Sequence, residues 1–302
     1  MQNIPVLYTS GKTIPEAYEK SLLSLMFNGC KIKTQYDKPE DLPSIDATMD
    51  ITIENPEAEP SIYKLFPGGI EDLREYVMEL QGAKDDWVRN VDDLEDRRWD
   101  YTYHGRLAKW GRWKEKDSGI TPIYTSNIPC DGPINQIDIV IKNLIDAPYT
   151  RRAQAITWMP FIDNDIADPP CLQSMWFRML EEKDSSYTLN TNIRFRSNDA
   201  WGAAFMNMWG ITKFIRSEIA NKIEKETGRI INMGRLNWHA DSYHIYGKDI
   251  NNAADRFLKR VMTTDFSDRV WNFNDSEIQE AWHEAEATIR KKIDDYNREH
   301  DQ

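Results

Sequence analysis

Cysteine is scarce in this sequence: three in 302 residues, at Cys30, Cys130 and Cys171. The number is odd and the spacing wide, which excludes a disulfide framework, so free thiols are expected. Histidine is scarce too, with five, and no CxxC pair, HExxH or His/Cys cluster supports a metal site. No apolar run approaches the ~20 residues that a membrane span requires. The N-terminal stretch "MQNIPVLYTSGK" lacks the basic flank and apolar core of a secretory signal, so a cytoplasmic protein is expected. Positive charge is in deficit. A formal net charge of −12 argues against the broad basic surface that long nucleic acid needs. It leaves room for a small phosphorylated ligand, because a few arginines in one pocket suffice.

What is present is a globular composition, 40% hydrophobic with 11 Trp and 13 Tyr, on a chain long enough to bury a large core. Thr13 as an N-cap, Pro15 in the first turn and Gly29 as a stop predict a helix over 13–29. The alternating "ATMDITIE" predicts an edge strand within 31–60. A second helix is expected over 67–82, with Leu73, Val77 and Leu80 on its buried face. The segment from Ile134 reads as helical to about Asp146, then turns through Pro148. "AQAITWMP", "CLQSMWFRML" and "LNTNIRFRS" read as strands, the last two joined as a hairpin by "EEKDSS". A long helix stopped by Gly228, the strand "NMGRLNWHADSYHIYG" and a charged amphipathic helix from Asn274 complete the chain. With no internal repeat or linker, the whole of 1–302 is expected to form one α+β domain, helices packed on a mixed sheet.

Several residue types in this frame could carry chemistry. Cys171 follows Pro169 and Pro170, which cannot donate ladder hydrogen bonds, so its thiol is expected at a strand mouth. It is either a small core residue or a nucleophile whose thiolate nearby arginines would favour. Arg151 and Arg152 follow a turn, and Arg194 and Arg196 alternate on a strand with Ser197 next. They are either a solvated face or a phosphate site, since guanidinium forks and a hydroxyl suit a phosphate dianion. Asn207 on its apolar helix is a satisfied core amide or a reader of a pyrimidine edge. His244 and Tyr246 share one strand face and could bind a sugar hydroxyl. Glu75 is a surface helix residue or, if buried, a proton handler.

The order of these pieces resembles the thymidylate synthase family, which includes the pyrimidine-nucleotide hydroxymethylases. Six blocks agree in order over roughly 70–250: "REYVMELQG", "RRWDYTYHGR", "INQIDIVIKNLIDAPYTRRA", "PPCLQ", "RFRSNDAWGAAFMN" and "DSYHIYG". The resemblance implies a homodimer with the sheet face at its interface, and a single domain whose C-terminal helix, 275–302, diverges. It implies Cys171 as the nucleophile that adds at C6 of the pyrimidine, with Glu75 managing proton transfers and Tyr103 assisting at C5. Arg196 and Ser197 would hold the phosphate, joined by Arg151 and Arg152 from a neighbouring subunit. Asn207 would read the pyrimidine, and His244 and Tyr246 the ribose. Trp99 and Asp199 would meet the cofactor, 5,10-methylenetetrahydrofolate or a related reduced pterin.

The implied reaction is one-carbon transfer to C5 of a pyrimidine nucleoside monophosphate. Reductive methylation of dUMP to dTMP leads, and hydroxymethylation of dUMP, dCMP or CMP is the alternative. A non-catalytic nucleotide-binding relative and a structural protein with a core cysteine stand as rivals. Departures from the family pattern are Leu172 where a His is usual after the nucleophile, and "WGAAFMN" without the usual Pro. Only Lys31 or Lys33 stand near the expected N-terminal phosphate arginine, and the charged ending "NREHDQ" replaces a short apolar tail.

Overall fold

The computed structural model describes residues 3–89, 95–111, 113–116, 119–122 and 133–300. From the N-terminus, β1 (Val6–Gly11) leads into α1 (Ile14–Asn28), then β2 (Cys30–Ile32), β3 (Ser44–Ile53) and the short β4 (Ile62–Tyr63). Next come α2 (Ile70–Leu80), α3 (Tyr103–Ala108), the pair β5 (Trp113–Lys116) and β6 (Gly119–Pro122), and α4 (Gln136–Asp146). The central part runs β7 (Gln154–Ile156), α5 (Pro160–Asp163), β8 (Leu172–Glu181), β9 (Tyr187–Phe195) and β10 (Asn198–Asp199). Helices α6 (Ala204–Ile215) and α7 (Asn221–Thr227) join through a π-turn, and β11 (Ile231–Ile245) follows. The chain closes with α8 (Ile250–Ala253), α9 (Lys259–Val261), β12 (Val270–Trp271) and α10 (Ser276–His300).

The main sheet runs β1-β3-β11-β9-β8-β7, with β2 added against β3 and β10 against β11. It is mixed: β1–β3 and β11–β9 are parallel, while β3–β11, β9–β8 and β8–β7 are antiparallel. The α+β class and the long helix ended by Gly228 match expectation. Gly228 sits at φ +71, a left-handed cap that a side chain resists.

One strand departs from expectation. β3 is an interior strand, bonded to β1 on one side and β11 on the other, rather than an edge. Its polar positions Thr48, Asp50 and Thr52 are half-buried because they lie on the second face of a central strand. β1, which covers β3's outer side, has no sequence signature, as Val6 and Tyr8 stand exposed.

Sheet alternation sorts the two faces. Met175, Phe177 and Met179 of β8, Leu189, Ile193 and Phe195 of β9, and Trp238 and Ala240 of β11 point into one core. Helix α1 lies on β1 and β3, α6 packs beside α1 and α2, and α2 is enclosed between α6 and α10. Gly210 of α6 permits that approach: a Cβ there would come within 2.4 Å of the Tyr76 ring. The opposite sheet face carries polar residues, Arg194 exposed and Asn237 and His239 half-buried.

Cys30 and Cys171 are free thiols, and Cys130 lies outside the described residues. No helix among the described residues is long and apolar enough to cross a membrane.

Candidate active site

The two prolines before Cys171 have a use that their missing N–H groups do not reveal. Their carbonyls accept from Arg196, Nη2 to Pro169 at 2.5 Å and Nε to Pro170 at 3.0 Å. The backbone N–H of Arg196 then bonds the Cys171 carbonyl at 2.9 Å. The pairing of β8 with β9 slips between Leu172 and Ser174, so the thiol sits at a distorted strand mouth rather than in a regular ladder. Cys171 is half-buried with the Arg196 guanidinium beside it. This is the opposite of a thiol sealed in apolar core. Burial pushes the thiol above its ordinary range, the Arg196 charge pulls it back, and Asp168 adds to the rise.

Phenols crowd the same point. The Tyr103 hydroxyl accepts from the Leu172 N–H at 3.2 Å. Burial and then the Cys171 charge hold that phenol above its ordinary range. Tyr101 packs on Tyr103 with ring centroids 5.7 Å apart. Tyr76 reaches in from α2, its hydroxyl buried with no well-formed hydrogen bond. Burial, Tyr103 and Glu79 raise its pKa, while the Asn207 amide lowers it. Tyr76 therefore lies where Cys171, Tyr103 and Asn207 come together.

Asn207 is buried on α6 and accepts from Asn198 Nδ2 at 3.0 Å. His244 and Tyr246 stand edge to face, centroids 4.6 Å apart, at the end of β11. The His244 Nε2 is buried without a protein partner, an orphan that a ligand hydroxyl would satisfy. Burial, with Asp199 and Cys171 nearby, pushes the Tyr246 phenol up to about 12. Asp199 turns inward: its Oδ1 accepts from the backbone N–H of Trp201 at 3.0 Å and Gly202 at 2.8 Å. A Cβ at Gly202 would lie 2.4 Å from Asp199 Oδ2, so a side chain there would displace that carboxylate.

A cavity of about 320 Å³ opens beside Tyr103, lined also by Trp99, Tyr101, Glu79 and Asp168. Aromatic walls with the carboxylates Glu79, Asp100 and Asp168 suit a flat heterocycle that carries N–H donors. Trp99 is part of this wall.

The structure gathers Cys171, Tyr103, Arg196 and Asn207, with Ser197 next to Arg196 in the chain, and brings Tyr246 and Asp199 within electrostatic reach. It does not bring in Glu75. That carboxylate is paired with Lys84 at 2.7 Å and with Lys292 of α10 at 2.8 Å. One helical turn on, Glu79 is the α2 carboxylate on the cavity wall, 3.2 Å from Lys84 Nζ. Burial raises its pKa against the pull of Lys84. Arg151 and Arg152 stand exposed in the loop before β7. Lys33 is spent locally on the carbonyls of Lys38 and Asp41, and Lys31 is exposed on β2.

Glu79, Asp168, Tyr76, Tyr101 and Asn198 carry no sequence signal of their own. A helical wheel could have found Glu79, because it shares the Tyr76 face at i+3 and Glu75 does not.

Comparison with known proteins gives one consistent family. The chain matches the family model "Thymidylate synthase" over residues 74–298. A protein of Methanosarcina mazei named "Putative thymidylate synthase" is 30% identical over 179 residues, 59% of this chain and 63% of the relative. The chain thus spans under two thirds of that relative's length. One of the same name from Methanocaldococcus jannaschii is 29% identical over 240 residues, 78% of this chain and 88% of the relative. Among solved structures, the thermostable thymidylate synthase A from Bacillus subtilis superposes with a TM-score of 0.55 at 17% identity, covering 81% of this chain and 83% of that one. That likeness speaks to the fold.

Proposed function

The chain belongs to the thymidylate synthase family, and from that premise we propose that it transfers a one-carbon unit to C5 of a pyrimidine nucleoside monophosphate, best read as dUMP converted to dTMP. The observation that carries the reading is the half-buried Cys171 thiol beside Arg196, whose backbone N–H bonds the Cys171 carbonyl, and Tyr103, whose hydroxyl takes the next residue's N–H.

The Cys171 thiolate attacks C6 of the ring and forms an S–C6 bond. The displaced π electrons move through C5 to the C4 oxygen, where a hydrogen-bond donor from Asn207 stabilises them. C5 becomes the nucleophile. Arg196 favours the thiolate and, with Ser197, faces the nucleotide's phosphate end. His244 Nε2, buried without a partner, and Tyr246 take the sugar hydroxyl. Tyr103, whose hydroxyl takes the Leu172 N–H beside Cys171, takes part in removal of the C5 proton, and loss of that proton and expulsion of the Cys171 thiolate restore the C5=C6 bond. Proton traffic on the cavity side falls to Glu79, because burial raises its pKa toward the working range of an acid–base group.

The fit of a reduced pterin rests on the aromatic wall and the carboxylates. Trp99, Tyr101, Glu79 and Asp168 would hold it, joined by Asp199, and it would supply the one-carbon unit and, for methylation, a hydride. Arg151 and Arg152, exposed before β7, would complete a partner subunit's phosphate site in a homodimer built on the polar sheet face.

One observation supports hydroxymethylation as the second reading. Helix α10 packs on α2 with Tyr296 stacked on Trp87, and none of the cavity-lining residues belongs to it. Water exclusion at the cavity therefore has to come from elsewhere. Incubation with methylenetetrahydrofolate and dUMP, dCMP or CMP, read by product mass, decides. A methyl product with dihydrofolate supports the synthase. A hydroxymethyl product with tetrahydrofolate replaces it, and no product with any nucleotide, alongside intact folding, removes the enzymatic reading.

A further inference from the structure

Asn207 ends in an amide, whose oxygen accepts and whose nitrogen donates, so the end facing a ligand sets what it can read. The fold decides which end that is. Trp238 is fully buried on β11 and stacked on Phe195, ring centroids 4.6 Å apart. Its indole N–H can only donate, and it donates to Asn198 Oδ1 at 3.1 Å. Asn198 is left with its NH2 for its second partner, and Nδ2 donates to Asn207 Oδ1 at 3.0 Å. A flipped Asn207 would set its own NH2 against that of Asn198, two donors with no acceptor between them. With Asn198 3% and Asn207 7% exposed, water gives little relief. Asn207 therefore presents its NH2 to the site, on the side where the Tyr76 phenol lies.

We propose that Trp238 and Asn198 are positioning residues that hold Asn207 donor-outward, and so make the site select a pyrimidine with a carbonyl oxygen, rather than an amino group, at C4. The inference rests on the pyrimidine-nucleotide reading above. A 4-oxo ring meets the NH2 with an acceptor, at the oxygen that gains charge when the thiolate adds. A 4-amino ring meets it with a second donor.

The test is the ratio of dissociation constants for dUMP and dCMP, by calorimetry, in wild type, Asn198→Asp and Trp238→Phe. In Asn198→Asp the ionised carboxylate accepts from both Trp238 and Asn207, which turns the Asn207 oxygen toward the ligand. Wild type is expected to prefer dUMP by about 10-fold or more. Asn198→Asp, measured at about pH 8 to keep the carboxyl ionised, should lose or reverse that preference. Trp238→Phe, which keeps a buried ring and removes the donor, should narrow it by roughly 3- to 10-fold. A packing role would weaken both nucleotides equally. An unchanged ratio in variants with the wild-type circular dichroism spectrum overturns the inference, and if Asn198→Asp does not fold, Trp238→Phe decides alone. A wild type that prefers dCMP overturns the inference too, whereas one that binds neither nucleotide overturns the reading beneath it.

Discussion

Exchanging the two carboxylates of α2 one at a time separates a chemical role from a structural one. Glu79→Gln keeps the side chain's size and removes its proton-accepting capacity on the cavity wall. General acid–base groups contribute about 10²- to 10⁴-fold, so turnover should fall by that factor, a loss far beyond the modest midpoint change from its 3.2 Å pair with Lys84. Glu75→Gln breaks two ion pairs instead. The pair with Lys292 is weak, since that lysine is 54% exposed. The pair with Lys84 matters more, because Lys84 is 6% exposed and Glu79 is its one other ion-pair partner among the described residues. The sum is about 1–3 kcal/mol, between the surface and buried limits, a Tm loss of roughly 2–6 °C.

Burial is the main cause of the raised Glu79 pKa, and the Glu75 charge adds to it. Removing that charge moves the Glu79 pKa down, so an acid limb set by Glu79 should shift to lower pH in Glu75→Gln. Release of tritium from C5 of the labelled nucleotide reads turnover, and thermal unfolding reads stability. If Glu75→Gln loses 10²-fold or more at unchanged Tm while Glu79→Gln works normally, the assignment is wrong.

Three further outcomes follow from the same geometry. The Cys171 thiolate grows as pH rises through its pKa, so alkylation of the Cys171 peptide should speed up with pH. Arg196→Gln should displace that curve to higher pH, since the guanidinium is what lowers the pKa; mass spectrometry of the labelled peptide checks it, and an unmoved curve would deny the coupling. His239 lies between Asp50 at 2.9 Å and Asp241 at 3.1 Å, and these bonds outweigh burial to raise its pKa. A raised folded-state pKa gives stability present in full below the ordinary histidine value of about 6.5 and lost as pH rises through the folded value. Urea unfolding at pH 6 and 8 should therefore show a smaller pH difference in His239→Asn than in wild type. Ile289 of α10 is fully buried in a cluster with Met78 and Trp87, so Ile289→Ala should cost about 2–5 kcal/mol by denaturant unfolding; a loss under 1 kcal/mol would mean that α10 is loosely docked.

How much of the molecule was legible in the sequence depends on whether chain-local pattern or through-space packing fixed each feature. The α1 cap, the Gly228 stop and the β8–β9 hairpin are local: Thr13, a left-handed glycine and "EEKDSS" each act within a few residues. The interior place of β3 was hidden because interior and edge strands differ in their neighbours, and β1 exposes the side chains that would have announced it. Motif order singled out Cys171, Arg196, Asn207 and Tyr246, which the structure sets at the ends of β8, β9 and β11 and on α6. It did not locate the positions where distant elements meet: Asp168 is carried by a loop, Tyr76 enters only because Gly210 lets α2 approach α6, and Asn198 is bracketed by Trp238 and Asn207.

Helix α2 shows why motif position and side-chain direction can part company. Six residues before Gln81-Gly82 the motif holds Glu75, but a helix turns 100° per residue, and where it points depends on what packs on both sides. Here α6 claims the Tyr76 face through Gly210, which fixes the rotation of α2 and carries Glu79 to the cavity. On the opposite side α10 supplies Lys292 to Glu75, and Glu286 pairs with Arg74. Helix α10 thus gives the motif glutamate a neighbour that would draw it away from the thiol. On this account the docking of α10 and the direction of Glu75 are coupled. Charge reversal tests it: with Lys292→Glu, Glu75 loses its outer partner and meets a like charge, so a Glu79→Gln background should regain some turnover if Glu75 can swing inward. No recovery in the double variant, with α10 still docked by the protection of its amides from exchange, would separate the two.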